Sequence, residues 1–291
     1  MSSDVMPMME HRPRRQHSQS SGATDAALLF DEPGPRGRIL IAIGSVVAVI
    51  GIAALVAAVL YRLDLAGQLD YPKWRYFLGQ SVVSQLLEAA GTTLTLGGVA
   101  AVLTFPLGIA LGWLRLLDNR PIRWLVGLWI DAMRAVPMLL LVYFFLLVVP
   151  RFATISDFWK LALPIVMCTS ATTAEVFRSG VRALDRGQTE AAWALGMSPS
   201  LTMRLILAPQ ALRLMLPTLI TQMVTIIKGT TLAYVLAYPE LMYRGSTMIG
   251  QAKIDAHLSV FFQTYVIIAL LYIIVNWSLG ALARYIESRT R

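Results

Sequence analysis

From Ile39 to Leu60 the chain passes without one charged residue. A helix needs ~20 apolar residues to cross the hydrocarbon core of a bilayer. In lipid each backbone N–H and C=O must find its partner inside the protein, and a helix achieves that within one segment. Further apolar stretches follow at Leu86–Leu117, Leu125–Val149, Trp159–Phe177, Leu212–Ala237 and Val260–Leu282. The expected fold class is therefore an all-α integral membrane protein with about six transmembrane helices. The second stretch exceeds one perpendicular crossing, so it tilts or extends beyond the bilayer. Composition agrees: 56% of residues are hydrophobic and 14% charged, against about 25% charged in soluble domains.

Residues 1–37, with HRPRRQHSQSS and DEPGPRGR, carry no hydrophobic period and read as a disordered basic tail. The net charge is +8, and the basic residues cluster in this tail and in loops between apolar runs. That placement points to topology by the positive-inside rule rather than to nucleic acid. Arg115, Arg120, Arg123, Arg178, Arg182, Arg186, Arg204 and Arg213 then share the tail's side, while the basic residues of loops 62–85, 150–158 and 238–257 are largely balanced by acids. Both termini are expected in the cytosol, with the cell membrane as the site. The single Cys168 and the scattered His11, His17 and His257 offer no metal-ligand spacing. No nucleophile–base or paired-carboxylate arrangement lies within the spans, so no catalytic residue is expected.

Between the fourth and fifth spans lies EAAWALGMSPSLTMRLILAPQALRLMLP, Glu190 to Pro217. Thr189-Glu190 reads as a helix start with an acid in the first turn. Ala191, Ala192 and Ala194 give a small-residue face. Gly196 sits where a residue with positive φ would end that helix. Ser198-Pro199 forms an N-cap and N1 pair for a second helix. Leu201, Leu205 and Leu207 give this second helix an apolar face opposite Arg204. Pro209 and Pro217 bend the path back into the membrane. From these residues alone, a mere connecting loop and a docking element are equally open.

The order Glu190-Ala191-Ala192, Gly196, Ile206, Ala208, Pro209 closely resembles the EAA signature of bacterial ABC-transporter permeases. In that pattern leucine precedes the proline, where Ala208 stands here. Four further stretches resemble the polar amino-acid branch. They are Gly91-Thr92-Thr93-Leu94, Met133-Arg134-Ala135-Val136-Pro137, Ala174-Glu175-Val176-Phe177-Arg178-Ser179-Gly180 and Lys228-Gly229-Thr230-Thr231-Leu232. In the last, Gly229 stands where the family has aspartate. Long segments of the third and fifth spans look most like glutamate and aspartate permeases.

The resemblance covers roughly Leu86 to the C-terminus. It implies a type I, MetI-like permease core over residues 86–291, with a coupling hairpin at 186–209 and one extra N-terminal helix within residues 38–85. It implies a non-catalytic subunit of an ATP-driven importer of a polar amino acid, glutamate first. It also implies that Glu190, Ala191, Ala192, Gly196, Ile206 and Pro209 couple the chain to an ATPase. The implied partners are an ABC ATPase dimer, an identical or related second permease, an extracellular amino-acid-binding protein and membrane lipid. The chain has no G-x-x-x-x-G-K-[ST] phosphate loop, so ATP and Mg belong to the partner and no cofactor is expected here. The alternative is an ATP-independent secondary amino-acid transporter or channel. It requires a coupling-ion site, yet acids within the spans are few.

Intramembrane charges mark candidate path or gate residues. A lysine at the centre of a span costs ~2.5–3.5 kcal/mol on the insertion scale, and such groups usually face a cavity. Lys228, with Thr230, Thr231 and a break at Gly229, either lines the translocation path or snorkels to the headgroups. Asp131, Arg134, Glu175 and Arg178 fall at similar depth and are expected to form an ion-pair cluster bracing the inner gate, with direct substrate contact as the other reading.

Overall fold

The computed structural model describes residues 34–290, so most of the tail expected over residues 1–37 lies outside the described residues. Among the described residues all regular structure is helical. The described residues divide into two compact units, one up to residue 66 and one from residue 67 onward.

In the first unit, helix α1 runs Pro35–Leu65 with proline in its first turn and Arg62 in its last. Proline is tolerated at the start because the first N–H groups have no intrahelical acceptor. Every side of this helix is apolar, as lipid demands.

The second unit opens with a short helix α2, Tyr71–Arg75, followed by α3, Gln80–Leu114. Then come α4, Arg120–Ala135, and α5, Met138–Leu147. Helix α6 spans Asp157–Arg182 and is followed by the short helices α7, Arg186–Ala194, and α8, Pro199–Thr202. The last three are α9, Ala208–Gly229, α10, Leu241–Asp255, and α11, Phe261–Thr290.

The bundle is organised around α6, against which α3, α4, α5 and α9 all pack. Close approach to α3 depends on missing side chains. A Cβ on Gly108 would sit 2.5 Å from Thr173 Cβ, and one on Gly112 would sit 2.6 Å from the Ala174 carbonyl oxygen. Small residues let backbones approach where lipid supplies no hydrophobic drive between helices. Between the two helices the buried hydroxyls of Thr104 and Thr169 are 2.8 Å apart, and Thr169 also donates to the Ile165 carbonyl. Phe177, Ala211 and Met215 close the core at the hairpin end.

The six expected spans are met in part by length and composition. Among the described residues, four helical segments are long and apolar enough to cross a membrane: Arg36–Leu65, Gln80–Leu114, Pro199–Leu236 and Phe261–Leu282. The expected span Leu125–Val149 is two helices meeting at a 95° bend, which makes a fifth if they are counted together. The bend has a local cause. Pro137 disfavours helical geometry at the residue before it, and Val136 is extended at φ −77°, ψ 128°. The expected span Trp159–Phe177 does form a helix, α6. It is too polar to qualify by composition: Thr169, Ser170 and Thr173 are buried against neighbouring helices, and the charged Asp157 and Arg182 are exposed at its ends. The loop expected at 238–257 contains the fifteen-residue helix α10.

Candidate functional site

The hairpin forms by the signals its residues carry, shifted at one end. Helix α7 starts at Arg186, with the Asp185 carboxylate accepting from Gly187 N at 2.6 Å. Glu190 therefore lies beyond the first turn, against the expectation from Thr189-Glu190. Gly196 ends the helix at φ +76°. The Met197 N–H reaches back to the Ala192 carbonyl at 3.1 Å, the 6→1 bond of a Schellman cap. The Ser198 hydroxyl accepts from Leu201 N at 3.4 Å and Pro199 opens α8. Gln210 Nε2 donates to Gln188 Oε1 at 3.1 Å, tying the return limb to α7.

A π-turn over Met203–Leu207 joins α8 to α9, with Ala208 N–H bonded five residues back to Met203. Pro209 has no N–H to give Leu205, and the wider turn accommodates that lost bond. Pro209 and Pro217 are absorbed within a single helical path from Pro199 to Leu236. The expected return to the bundle is made, without a break at either proline.

The hairpin's surface differs from the expected alanine face. Ala192 is only 3% exposed and belongs to the interior. Trp193 at 55% and Leu195 at 82% project outward, with Leu201 and Leu205 also exposed. Leu207 instead joins the core beside Phe177 and Met215. Of the residues expected to couple, Glu190, Ala191, Gly196 and Pro209 are exposed, Ile206 is half-buried, and Ala192 is not. Reading for small residues missed Trp193.

Beneath the hairpin the expected ion-pair cluster forms, with a different centre. Arg115, at the end of α3, reaches Glu175 at 2.9 Å and Asp131 at 3.2 Å. Arg178 pairs with Glu175 one turn along α6. Arg134 makes none of these contacts. It shares with Glu175, Thr172, Ser179 and Thr218 a cleft of about 410 Å³. The partner that sequence reading missed is Arg115, which had been counted only as a loop charge.

Lys228 is exposed in the last turn of α9. Gly229 does not break the helix: it keeps φ −60°, and the path tightens into a 3₁₀ stretch over Thr230–Leu236. Thr230 is buried and its hydroxyl donates to the Ile227 carbonyl at 2.7 Å. Thr231 Oγ1 donates to the Lys228 carbonyl at 2.7 Å. Lys228 and Thr231 do not line the Arg134 cleft.

One buried carboxylate had no place in the sequence reading. Glu240 is 0% exposed and caps α10, accepting from Met242 N at 2.9 Å and Tyr243 N at 2.8 Å. Tyr272 Oη on α11 donates to it at 2.8 Å, and the adjacent Leu241 N–H donates to Thr93 Oγ1 on α3. Burial pushes its carboxyl above the usual glutamate range, although all three donors oppose that shift.

Residues 104–291 match the family described as binding-protein-dependent transport system inner membrane component. The chain belongs to that family. The glutamate transport system permease protein GluD of Corynebacterium glutamicum is 34% identical over 230 residues, covering 77% of this chain and 82% of that one. The probable glutamine ABC transporter permease protein GlnP of Bacillus subtilis is 33% identical over 68% of this chain and 89% of its own. Among solved structures, an amino acid ABC transporter crystallised with histidines superposes with TM-score 0.64 at 24% identity, covering 72% of this chain and 95% of that one. The methionine transporter MetNI in an inward-facing form gives 0.56 at 16% identity, covering 71% and 98%. These likenesses fix the fold as that of ABC importer permeases, and the family makes the chain a membrane component of a transport system.

Proposed function

We propose that the chain is the permease subunit of an ATP-driven importer that carries a polar amino acid, glutamate first, by alternating access. The exposed hairpin carries this reading. A membrane bundle gains nothing from holding Trp193 and Leu195 in water, whereas tryptophan is enriched among residues that dominate protein interfaces. Their natural occupant is a cleft on a separate ATPase, which supplies ATP and Mg. Both termini and the hairpin lie in the cytosol, following the arginine bias. A second permease, identical or related, completes the path, and an extracellular binding protein delivers substrate.

Glutamate as cargo is supported by the permease of Corynebacterium glutamicum and by the Arg134 cleft. There an exposed guanidinium stands beside the hydroxyls of Thr172, Ser179 and Thr218, chemistry suited to a carboxylate. The inner cluster of Arg115, Asp131, Glu175 and Arg178 braces the neighbouring helices as a gate. Lys228 and Thr231 offer a second cationic, hydroxyl-bearing patch on the route.

The test is uptake of labelled glutamate, aspartate, glutamine and arginine by the complex reconstituted with its ATPase and binding protein. Glutamate should accumulate only with ATP. Accumulation driven by an ion gradient without ATP would reverse the assignment to this class of machine. ATP-driven uptake of glutamine or arginine instead would reverse only the cargo.

A further inference from the structure

Near the hairpin end of α6 a second cleft, of about 540 Å³, opens among α3, α4 and α6. Five arginines line it: Arg115, Arg120, Arg123, Arg178 and Arg182. Asp131 is its one acidic wall residue, and it is held by Arg115. Arg178 is held by Glu175. Among the described residues Arg120, Arg123 and Arg182 have no acidic partner, and all three are exposed.

Arg120 and Arg123 also occupy the first turn of α4, which has no acid there. The positive pole of a helix disfavours cations and favours anions. Two arginines at that pole with no counter-ion leave an electrostatic deficit that an anion in the cleft would relieve.

The next residues along α4 say where the anion comes from. Trp124, 66% exposed, and Leu128 line the same cleft; Leu125 and Trp129 are exposed beyond it. A cationic rim above an exposed aromatic and aliphatic face matches the boundary between headgroups and acyl chains, where tryptophan settles. A soluble phosphate would use the arginines and leave this apolar skirt in water.

We propose that this cleft is a binding site for the phosphate headgroup of an anionic membrane lipid, with the acyl chains lying along Trp124, Leu125 and Leu128. Arg120, Arg123 and Arg182 hold the phosphate, while Arg115 and Arg178, fixed by their carboxylates, shape the floor. Basic pockets between membrane helices bind anionic headgroups in this manner. The site rests on membrane insertion alone, so it stands or falls separately from the cargo and from coupling to ATP.

The experiment is native mass spectrometry of the full-length chain in detergent, titrated with phosphatidylglycerol or with phosphatidylcholine of the same acyl chains. Each basic residue near an anionic surface contributes about a fivefold gain in retention. Phosphatidylglycerol should be retained at least tenfold more tightly than phosphatidylcholine. The combined substitution Arg120→Gln, Arg123→Gln, Arg182→Gln should lose most of that preference, roughly a hundredfold at the limit. Arg151→Gln, outside the cleft, should leave it unchanged. Equal retention of the two lipids by the native chain overturns the site without reference to any variant. A preference that survives the triple substitution places the lipid elsewhere. Displacement of phosphatidylglycerol by excess inorganic phosphate makes this a soluble-anion site and overturns the lipid assignment.

Discussion

Three donors converge on Glu240: the N–H groups of Met242 and Tyr243 and the Tyr272 hydroxyl. Replacing it by alanine strands two N–H groups at the start of α10 and removes the carboxylate acceptor of Tyr272. A buried group left without its partner costs ~1–3 kcal/mol, so Glu240→Ala should destabilise the chain by about 3 kcal/mol or more. Glu240→Gln keeps an acceptor and should cost roughly 1 kcal/mol, in the range of one hydrogen bond. The pH dependence has a definite sign. Because the folded carboxyl titrates above the ordinary value of ~4.3, its contribution is full below that value and is lost as pH rises through the folded one. The stability gap between the native chain and Glu240→Gln should narrow with rising pH in detergent-solubilised thermal unfolding. A gap constant from acid to neutral pH would show that the buried carboxyl does not titrate above its ordinary range.

Arg115 allows a second test at this scale. Its side chain is mostly buried between Asp131 and Glu175, whereas Arg134 touches neither. A double-mutant cycle with Arg115→Gln and Glu175→Gln should give a coupling of ~0.5–3 kcal/mol, as for residues sharing one network. The Arg134→Gln and Glu175→Gln cycle should give less, and equal couplings would remove Arg115 from the centre. Sequence spacing placed the acids and Arg178 at one depth, because all lie near helix ends. It left out Arg115, which is far along the chain and reaches the cluster only because Gly108 and Gly112 let α3 lie against α6. Glu240 escaped for a related reason: beside the balancing charges of an expected loop, its role as an N-cap is invisible until α10 is seen packed on α3 and α11.

At the scale of elements, the hairpin's stops were legible and its orientation was not. Gly196 and Ser198-Pro199 are local signals, fixed by the φ values glycine and proline allow. Which face of a nine-residue helix turns inward is set by tertiary packing, and burial of Ala192 rotates Trp193 and Leu195 outward. Trp193→Ala should therefore leave thermal stability within about 0.5 kcal/mol, as for an exposed position. It should weaken association with the ATPase by at least about 2 kcal/mol, the scale of an interface hot spot. Unchanged ATPase co-purification would remove Trp193 from the interface. Gly196→Asp acts differently: a residue with a Cβ at φ +76° carries strain of ~1–2 kcal/mol. It should insert normally yet uncouple ATP hydrolysis from uptake, and normal uptake would deny the turn its role. The bend at Val136-Pro137 was written in the sequence too, but apolarity dominates the reading of a membrane segment and a proline within it is readily passed over.

At the scale of the whole molecule, the recognisable transport machinery lies in one of the two compact units. The family match begins at residue 104, and the hairpin, the inner cluster, the Glu240 node and both clefts fall within residues 67–291. The N-terminal edge of that unit is fastened to its far end. Trp74 Nε1 donates to the Gln68 carbonyl at 3.2 Å, and Gln263 Nε2 on α11 donates to the same oxygen. Helix α1 has the composition of a lipid-facing span, with mean hydropathy 2.9 over its apolar window and none of that window buried. A chain begun at Gly67 behind an initiator methionine should keep the folding determinants of the second unit, since the described core clusters are built from that unit's own residues. It should unfold within a few degrees of the full chain and, with its ATPase and binding protein, retain uptake within about twofold, because surface changes away from packed features rarely exceed ~0.5 kcal/mol. Failure of the shortened chain to insert in the right orientation would assign α1 a topogenic role, consistent with a basic segment preceding a first span. Correct insertion with loss of uptake would instead make the first unit part of the transport cycle, and the division between the two units would no longer mark the limit of the machine.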